Sequence, residues 1–243
     1  MDLMETIKDA IVYPINNVKA LIIYLLLGLL IGILAIFTGL GGLLALKFNS
    51  VNYTVVGFIG IILILCLYLL MLGFSLDIVK FGIELREDAP GIDFVRQIIN
   101  GLKYLIVAIV YLIIPTIITA ILMFISKDVA TIIGTILFII FAFILYMGIC
   151  RLAKTDSLSH ALDIPGAIGD LKEIGIVKVV LTIIIAEIVG LIIVFLLTFI
   201  ITWIVLIINQ NIMLTLVPVI AAVLDAWLLF YSNRVMGLLY SNK

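Results

Sequence analysis

The sequence predicts an all-α integral membrane protein: a bundle of six transmembrane helices, arranged as three hairpins with short cytoplasmic interfacial helices. The first observation is composition, because 66% of the 243 residues are hydrophobic and only 12% are charged. Soluble domains are about 45–50% apolar and about 25% charged, and a soluble fold with so few polar residues cannot cover its apolar surface. The second observation is that the apolar residues gather into six long runs.

These six runs define the predicted spans, since a helix needs about 20 apolar residues to cross a bilayer. The spans cover residues of about 20–46, 55–76, 102–125, 129–149, 176–200 and 212–230, within one transmembrane domain of residues 1–243. The fifth run continues to Ile208, and at about 1.5 Å per residue it reaches about 50 Å. The hydrocarbon layer is about 30 Å thick. We therefore expect this helix to tilt, break or protrude near Thr198 or Thr202, before a turn at Asn209–Asn211.

Charge placement predicts how the chain is oriented in the cell membrane. Twelve of the 14 lysines and arginines lie in the two terminal segments or in the two longer connections. The other two, Lys47 and Lys127, flank the short connections on the opposite side. Because lysine and arginine favour cytoplasmic loops, both termini are predicted to be cytoplasmic. The charged N-terminal segment and the long first run also predict that no signal peptide is cleaved.

Three stretches on the predicted cytoplasmic side place apolar residues at helical spacing with polar residues between them. They cover residues 3–11, 94–102 and 158–162. An amphipathic helix of this kind can lie in the interface with its apolar face towards the lipid. The pattern therefore predicts short interfacial helices at these three places.

Three short stretches near the predicted spans combine glycine or proline with aromatic residues. They are Tyr13-Pro14 before the first span, Gly73-Phe74 with Val79 at the end of the second, and Gly101-Leu102-Lys103 followed by Tyr111 and Pro115 in the third. In these stretches the chain resembles the family catalogued as domain of unknown function 4013, whose members are mostly archaeal multi-pass membrane proteins. Family members often carry a connector of Pro-Glu-Trp type before the third span, whereas residues 88–94 here read Asp-Ala-Pro-Gly-Ile-Asp-Phe. The resemblance implies a multi-pass fold and no particular activity.

Two carboxylates lie inside predicted spans, where an ionisable group is costly. Glu187 follows Lys178 by nine residues, and Asp225 precedes Arg234 by nine residues. If these two basic residues mark the cytoplasmic interface, each acid lies about 13 Å beyond it along its helix. The two helices are joined by a short turn and should be antiparallel neighbours. We therefore expect that the acids can meet and share a proton.

Two roles are open for this acidic pair. Intramembrane ionisable residues usually face a cavity or a partner, so the pair can line a path for protons or cations. Alternatively, the acids are protonated and act as polar packing groups between helices. In that case Thr182, Thr198 or a carbonyl freed by Pro115 or Pro218 is the expected hydrogen-bond partner.

Three further patterns have a functional and a structural interpretation. Gly28 and Gly32 form a G-x-x-x-G pair, which suits either a packing notch within the chain or a dimer face. Pro115 and Pro218 lie within spans and predict helix kinks, which either pack or expose carbonyls to a ligand. Asn52 begins a glycosylation sequon on the predicted outer side, in a short connection close to the membrane.

Composition also excludes several classes of function. The net charge of −1 creates no field that attracts nucleic acid. No nucleophile, metal-ligand set or phosphate loop stands out, so we expect no enzyme, cofactor or metal. The sequence instead favours a membrane scaffold or assembly protein whose partners are the lipid bilayer, a second copy or another membrane protein. The alternative is a transporter or channel for a small cation or proton-coupled solute that uses Glu187 and Asp225.

Overall fold

The structure is a computed structural model that describes residues 2–48, 51–208 and 210–243; within its helices, the side chains of residues 45, 208, 210–215 and 218 are not described. The described part is helical and contains no strand. Its helices are α1 (Leu3–Asn16), α2 (Val18–Phe48), α3 (Val51–Ile83), α4 (Phe94–Met123), α5 (Lys127–Thr155), α6 (Leu158–Ala161), α7 (Ile164–Ile174), α8 (Ile176–Ile208) and α9 (Gln210–Tyr240).

Six helices, α2, α3, α4, α5, α8 and α9, are long and apolar enough to cross a membrane. The central part of each helix contains few charged residues, so it is compatible with the hydrocarbon layer of a bilayer. A helix also pairs its backbone N–H and C=O groups internally, as that layer requires. The prediction of an all-α chain with six membrane-length helices is therefore confirmed.

Side-chain caps explain where several helices begin. Asp2 and Glu5 form a capping box at the start of α1, with hydrogen bonds of 2.7 and 2.9 Å to each other's backbone N–H groups. Asp93 accepts a hydrogen bond from the Arg96 amide at the start of α4, and Asp163 accepts one from the Gly166 amide at the start of α7. Each carboxylate accepts a hydrogen bond from a backbone N–H group that has no partner within the helix. Its negative charge also interacts favourably with the positive end of the helix dipole.

The helices extend beyond the predicted apolar runs. Residues 94–102, which we expected to form a separate interfacial helix, are instead the first turns of α4. Gly101 does not break that helix, because it lies against the carbonyl of Leu69 on α3, where only glycine fits. The overlong fifth run is also one continuous helix, α8, and α9 continues past Phe230 to Tyr240.

Helix α3 lies near the centre of the bundle and contacts α2, α4, α5 and α9. Helix α9 packs against α1, α2, α3 and α8, whereas α8 is a peripheral helix that packs mainly on α9. The axes approach closely where glycines face each other: a Cβ added at Gly82 would come within 2.8 Å of the Cα atom of Gly237. Small residues at such crossings allow the backbones to touch.

The two ends of the bundle differ in charge pairing. Every ion pair found among the described residues joins groups in the N-terminal helix, the two longer connectors, the adjoining helix ends or the C-terminal segment. These elements gather at one end, which we call the ion-paired end. The C-terminal ends of α2, α4 and α8 lie at the opposite end.

Candidate functional site

A cleft of about 500 Å³ opens between α8 and α9. Its walls are mostly aliphatic, so polar groups that line it stand out. The lining residues are Val194, Thr198 and Thr202 of α8, and Val217, Ile220, Ala221, Ala222, Leu224, Asp225 and Leu228 of α9. This cleft therefore contains one of the two intramembrane acids predicted from the sequence.

Asp225 is the middle residue of the 31-residue helix α9, as far as possible from either end. Its side chain is exposed at the cleft, and among the described residues it has no hydrogen-bond or ion-pair partner. The nearby Thr198 hydroxyl donates to the Val194 carbonyl of its own helix at 2.8 Å. Asp225 is thus an acid in apolar surroundings that the described chain leaves without a hydrogen-bond donor.

Glu187 has a different environment. It is half-buried, and the Tyr146 hydroxyl of α5 donates a hydrogen bond to its Oε1 atom at 3.1 Å. No hydrogen bond joins Glu187 to Asp225 among the described residues. Glu187 therefore links α8 to α5, whereas Asp225 faces a space between α8 and α9.

The packing of α8 on α9 explains why the acids do not meet. The Tyr231 hydroxyl donates to the Ala186 carbonyl at 3.1 Å, and Leu228 packs against Gly190. This register places Glu187 level with Tyr231, six residues from Asp225 along α9. Six residues of helix correspond to about 9 Å, so our expectation that the acids lie at one depth is wrong.

The error came from using Arg234 as a marker of the membrane interface. Arg234 is only 2% exposed, because it is ion-paired inside the bundle with Asp9 of α1. By the register of α8 and α9, it lies several residues deeper than Lys178. Glu187, nine residues from Lys178, and Asp225, nine residues from Arg234, therefore lie at different depths in the membrane.

The expected partners of the acids are also corrected. Thr182 is buried, but its hydroxyl has no hydrogen-bond partner within the described part of the chain. Thr198 bonds to its own helix. Tyr146, which the sequence analysis did not select, is the partner of Glu187, and no sequence pattern would have linked residues on α5 and α8.

Among the other residues selected from the sequence, the structure describes the surroundings of the two glycines, of Pro115 and of Asn52. Gly28 packs against α9, where an added Cβ would lie 2.5 Å from the Ala222 carbonyl oxygen, and Gly32 is buried in the same helix. Pro115 is buried within α4. Pro218 falls in α9, but its side chain lies outside the described residues, as does Asn209 of the predicted turn. Asn52 is exposed in the first turn of α3.

Sequence reasoning missed a buried ion pair that joins the N-terminal helix to the end of the chain. Arg234 donates to both carboxylate oxygens of Asp9, at 2.7 and 3.2 Å, and to the Arg86 carbonyl at 2.8 Å. Its guanidinium lies over the Tyr13 ring at 4.1 Å from the ring centroid. Burial raises the pKa of Tyr13 to about 12, against the opposing charge of Arg234. These partners are far apart in sequence, so no local motif marks them.

A second network surrounds Asp170 of α7. Its carboxylate accepts hydrogen bonds from Tyr240 at 2.6 Å, from Arg151 at 3.0 Å and from Lys243. Burial works to raise the pKa of Asp170, but these three donors outweigh burial and lower the pKa below its ordinary value. The network ties α5, α7 and the end of α9 together at the ion-paired end.

The described residues contain no group of three or more His, Cys, Asp or Glu side chains that could hold a metal ion. Cys66 and Cys150 are free cysteines, one exposed and one buried. Of the two intramembrane acids, Asp225 is the one without a hydrogen-bond partner among the described residues.

Six membrane-length apolar helices in an all-α chain define a multi-pass membrane protein. The chain belongs to the family described as "Protein of unknown function (DUF4013)", whose sequence profile matches residues 56–230, more than half of the chain. This confirms the family resemblance, although Tyr13-Pro14 precedes the matched range. No curated protein and no solved structure matches the sequence.

The residues that carried the resemblance make contacts between elements. Gly73 lies against the Gln97 carbonyl and Gly101 against the Leu69 carbonyl, which brings α3 and α4 into backbone contact. The Tyr111 hydroxyl donates to the Ala161 carbonyl at 2.7 Å. These residues therefore have packing roles and identify a fold rather than a reaction.

Proposed function

We propose that this protein is a membrane assembly protein that binds a transmembrane helix of another membrane protein in the cleft between α8 and α9. The observation that carries the proposal is the unpartnered Asp225, exposed at the centre of α9 in an apolar cleft. A helix that contributes a hydrogen-bond donor would cover the acid and fill the cleft.

The energetic argument rests on the cost of a polar group in hydrocarbon. An acid facing lipid at mid-membrane costs about 2.5–3.5 kcal/mol or more on insertion scales. A hydrogen bond between transmembrane helices returns about 0.6–2 kcal/mol, and packing of the apolar cleft walls adds to it. An exposed central acid is therefore a favourable place for a partner to bind.

Another protein suits this cleft better than a second copy. The lysines and arginines of this chain lie towards the ends of the helices or in their connections, so a second copy has no cation at the depth of Asp225. A partner whose transmembrane helix carries a lysine, arginine, asparagine or hydroxyl residue near its middle would supply the donor. This chemistry defines the partner that we expect.

The membrane topology that we propose has three hairpins, α2–α3, α4–α5 and α8–α9, in a cell membrane with both termini in the cytoplasm. The distribution of basic residues supports this orientation. In this topology the ion-paired end faces the cytoplasm, and α1, α6 and α7 are interfacial helices on that side of the membrane. Their ion pairs hold the bundle rigid at one end, while the peripheral α8 remains accessible to a partner.

A photo-crosslinking experiment tests the proposal. A light-activated amino acid at Ala221, on the cleft wall, should give a crosslink to one partner in cells, whereas the same probe at Ile139 on the exposed face of α5 should not. The Asp225→Leu variant, whose side chain has no hydrogen-bond acceptor, should lose most of the Ala221 crosslink. The crosslinked product is identified by mass spectrometry.

The matched control is Glu187→Gln, since Glu187 is the other intramembrane acid and already has Tyr146 as a partner. This variant should keep the crosslink at Ala221. Crosslinks that form only between copies of this chain, or that are equally strong in Asp225→Leu and in the unaltered protein, would contradict the proposed assembly role.

A second candidate function is transport of a small cation or proton-coupled solute. It is favoured by one observation, that Asp225, Thr198 and Thr202 line one cleft within the membrane. In proteoliposomes, an Asp225-dependent path predicts a proton or cation flux that Asp225→Asn abolishes. Equal flux in the unaltered protein, in both acid variants and in empty liposomes would remove this candidate.

A further inference from the structure

Two cavities meet at the start of α2, on the ion-paired end of the bundle. The first, of about 490 Å³, lies between residues 16–20 and the connector residues 88–92. The second, of about 200 Å³, is an apolar groove between α2, α3 and the start of α4. Ile23 and Ile92 line both cavities, so the first cavity, a chamber lined in part by polar residues, adjoins an apolar groove.

The chamber has an uncompensated positive charge. Lys19 lines it and has no ion-pair partner in the part of the chain that the structure describes, whereas the carboxylate of Asp88 is paired with Arg86 at 2.6 Å. The first hydrogen bond of α2 runs from the Leu21 amide to the Asn17 carbonyl at 3.0 Å. The preceding amides at the start of this long helix are donors that its own turns cannot satisfy.

The groove has the opposite character. Its walls are made mainly by Leu26, Leu27 and Leu30 of α2, by Leu70 and Phe74 of α3, and by Phe94 of α4. Gln97 also lines it, and its amide is already hydrogen-bonded to Asp77 and to the Gly91 carbonyl. From Ile23 to Leu30 it follows α2 for about 10 Å, towards the centre of the helix. An unbranched hydrocarbon chain would lie along such a surface without leaving a polar group unpaired.

We infer that these joined cavities bind one anionic phospholipid, with its phosphate in the chamber beside Lys19 and one hydrocarbon chain in the groove. The charge of Lys19 complements a phosphate. The apolar groove complements a chain attached to that phosphate. An extended protein segment would fit less well, because its backbone polar groups would be left unpaired along the groove. A helix, about 10 Å across, is too wide for a groove of about 200 Å³. The site does not depend on the proposed assembly role.

The test measures lipid binding to the full chain in detergent by native mass spectrometry, with phosphatidylglycerol and phosphatidylcholine as probes. The first phosphatidylglycerol molecule should bind more tightly than the first phosphatidylcholine molecule. Lys19→Gln should weaken that phosphatidylglycerol binding about fivefold, which is the effect expected for one basic residue near an anionic headgroup. Leu26→Trp, which fills the groove from a half-exposed position, should weaken binding of both lipids.

Lys8→Gln is the matched control, because Lys8 is an exposed lysine on the neighbouring helix α1 and does not line either cavity. It should leave binding of both lipids unchanged. Equal effects of Lys8→Gln and Lys19→Gln would overturn the inference, and both changes fall on exposed side chains, so the comparison does not depend on how Leu26→Trp folds. Competition by soluble glycerol phosphate as strong as by the intact lipid would also overturn it, since the groove would then contribute nothing.

Discussion

Arg234 shows how a single charged residue can organise this membrane protein. It is almost fully buried, yet its guanidinium is matched by the Asp9 carboxylate, by the Arg86 carbonyl and by the Tyr13 ring. Burial of an ion pair is weak evidence of net stability, but removal of one partner leaves an uncompensated charge, which is costly. The pair therefore makes the folded state sensitive to either partner.

Asp9→Asn should destabilise the protein by about 2 kcal/mol, less than the 3–5 kcal/mol of a fully buried pair because Asp9 is about one-third exposed. This corresponds to a fall of about 4–8 °C in the midpoint of thermal unfolding in detergent. Lys8→Gln, next to it on the exposed side of α1, should have little effect. Identical midpoints for the two variants would mean that the buried charge is compensated without Asp9.

The Asp170 network predicts a loss of stability in acid. The pKa of Asp170 is lowered in the folded protein, so the folded state binds its proton more weakly than the unfolded chain does. Its contribution to stability is present above the unfolded pKa of about 3.9 and is lost as the pH falls through the folded pKa. The unfolding midpoint of the unaltered protein should therefore fall more steeply between about pH 5 and pH 2 than that of Asp170→Asn.

Glu173→Gln is the control for this pH series, because Glu173 lies on the same helix, is largely exposed and makes only a long ion pair of 3.7 Å with Lys243. Its curve should run parallel to that of the unaltered protein. If Asp170→Asn retained the full acid slope, other carboxylates would account for it, and the network would not be a source of the acid sensitivity.

At the level of helices, contacts between backbones are set by glycines that face a neighbouring carbonyl. Gly73 and Gly101 hold α3 and α4 together in this way, and Gly82 and Gly237 hold α3 and α9 together. In lipid, helices gain little from burying apolar side chains against each other, so close packing carries much of the association energy. Added bulk at these positions must push two helices apart.

Gly101→Ala should destabilise the bundle by about 1–3 kcal/mol, the usual cost of extra bulk in a packed site. The matched control is Gly42→Ala in α2, where an added Cβ meets nothing within 4 Å. Alanine is the better helix former, so this control should be neutral or slightly stabilising. Thermal unfolding of both variants in one detergent checks the prediction, which would be wrong if the two changed stability equally.

The six long helices were predictable from the sequence, because a soluble fold seldom contains several apolar runs long enough to cross a bilayer. Their ends were not predictable, since α4 and α9 continue through polar residues whose charges are paired by other elements. Residues 94–102 show the difficulty: their amphipathic pattern is that of a separate helix, yet the continuous packing of α4 on α3 decides the outcome.

The candidate site was predictable only in part. A carboxylate within a long apolar run is rare, so both acids could be selected from the sequence. Their relative depth depends on the register of α8 and α9, which Tyr231 and Leu228 set through contacts with Ala186 and Gly190. The register of two helices is set by the packing of one against the other. It could therefore not be deduced from the order of residues along the chain.

At the level of the whole molecule, the two ends of the bundle are chemically different. Ion pairs gather where the termini and the long connectors meet, whereas the opposite end has few basic residues. The same asymmetry in lysine and arginine sets orientation during insertion. The ion-paired end is therefore expected in the cytoplasm, and the connection between α4 and α5 outside the cell.

Single-cysteine labelling in whole cells tests this orientation. In a Cys66→Ser, Cys150→Ser background, Lys127→Cys at the start of α5 should react with a membrane-impermeant maleimide in intact cells, whereas Lys8→Cys in α1 should react only after the membrane is permeabilised. Both lysines are exposed, so access to the reagent rather than burial decides the result. The reverse pattern would place the ion-paired end outside, and the twelve basic residues on that side would then violate the charge rule that predicts the topology.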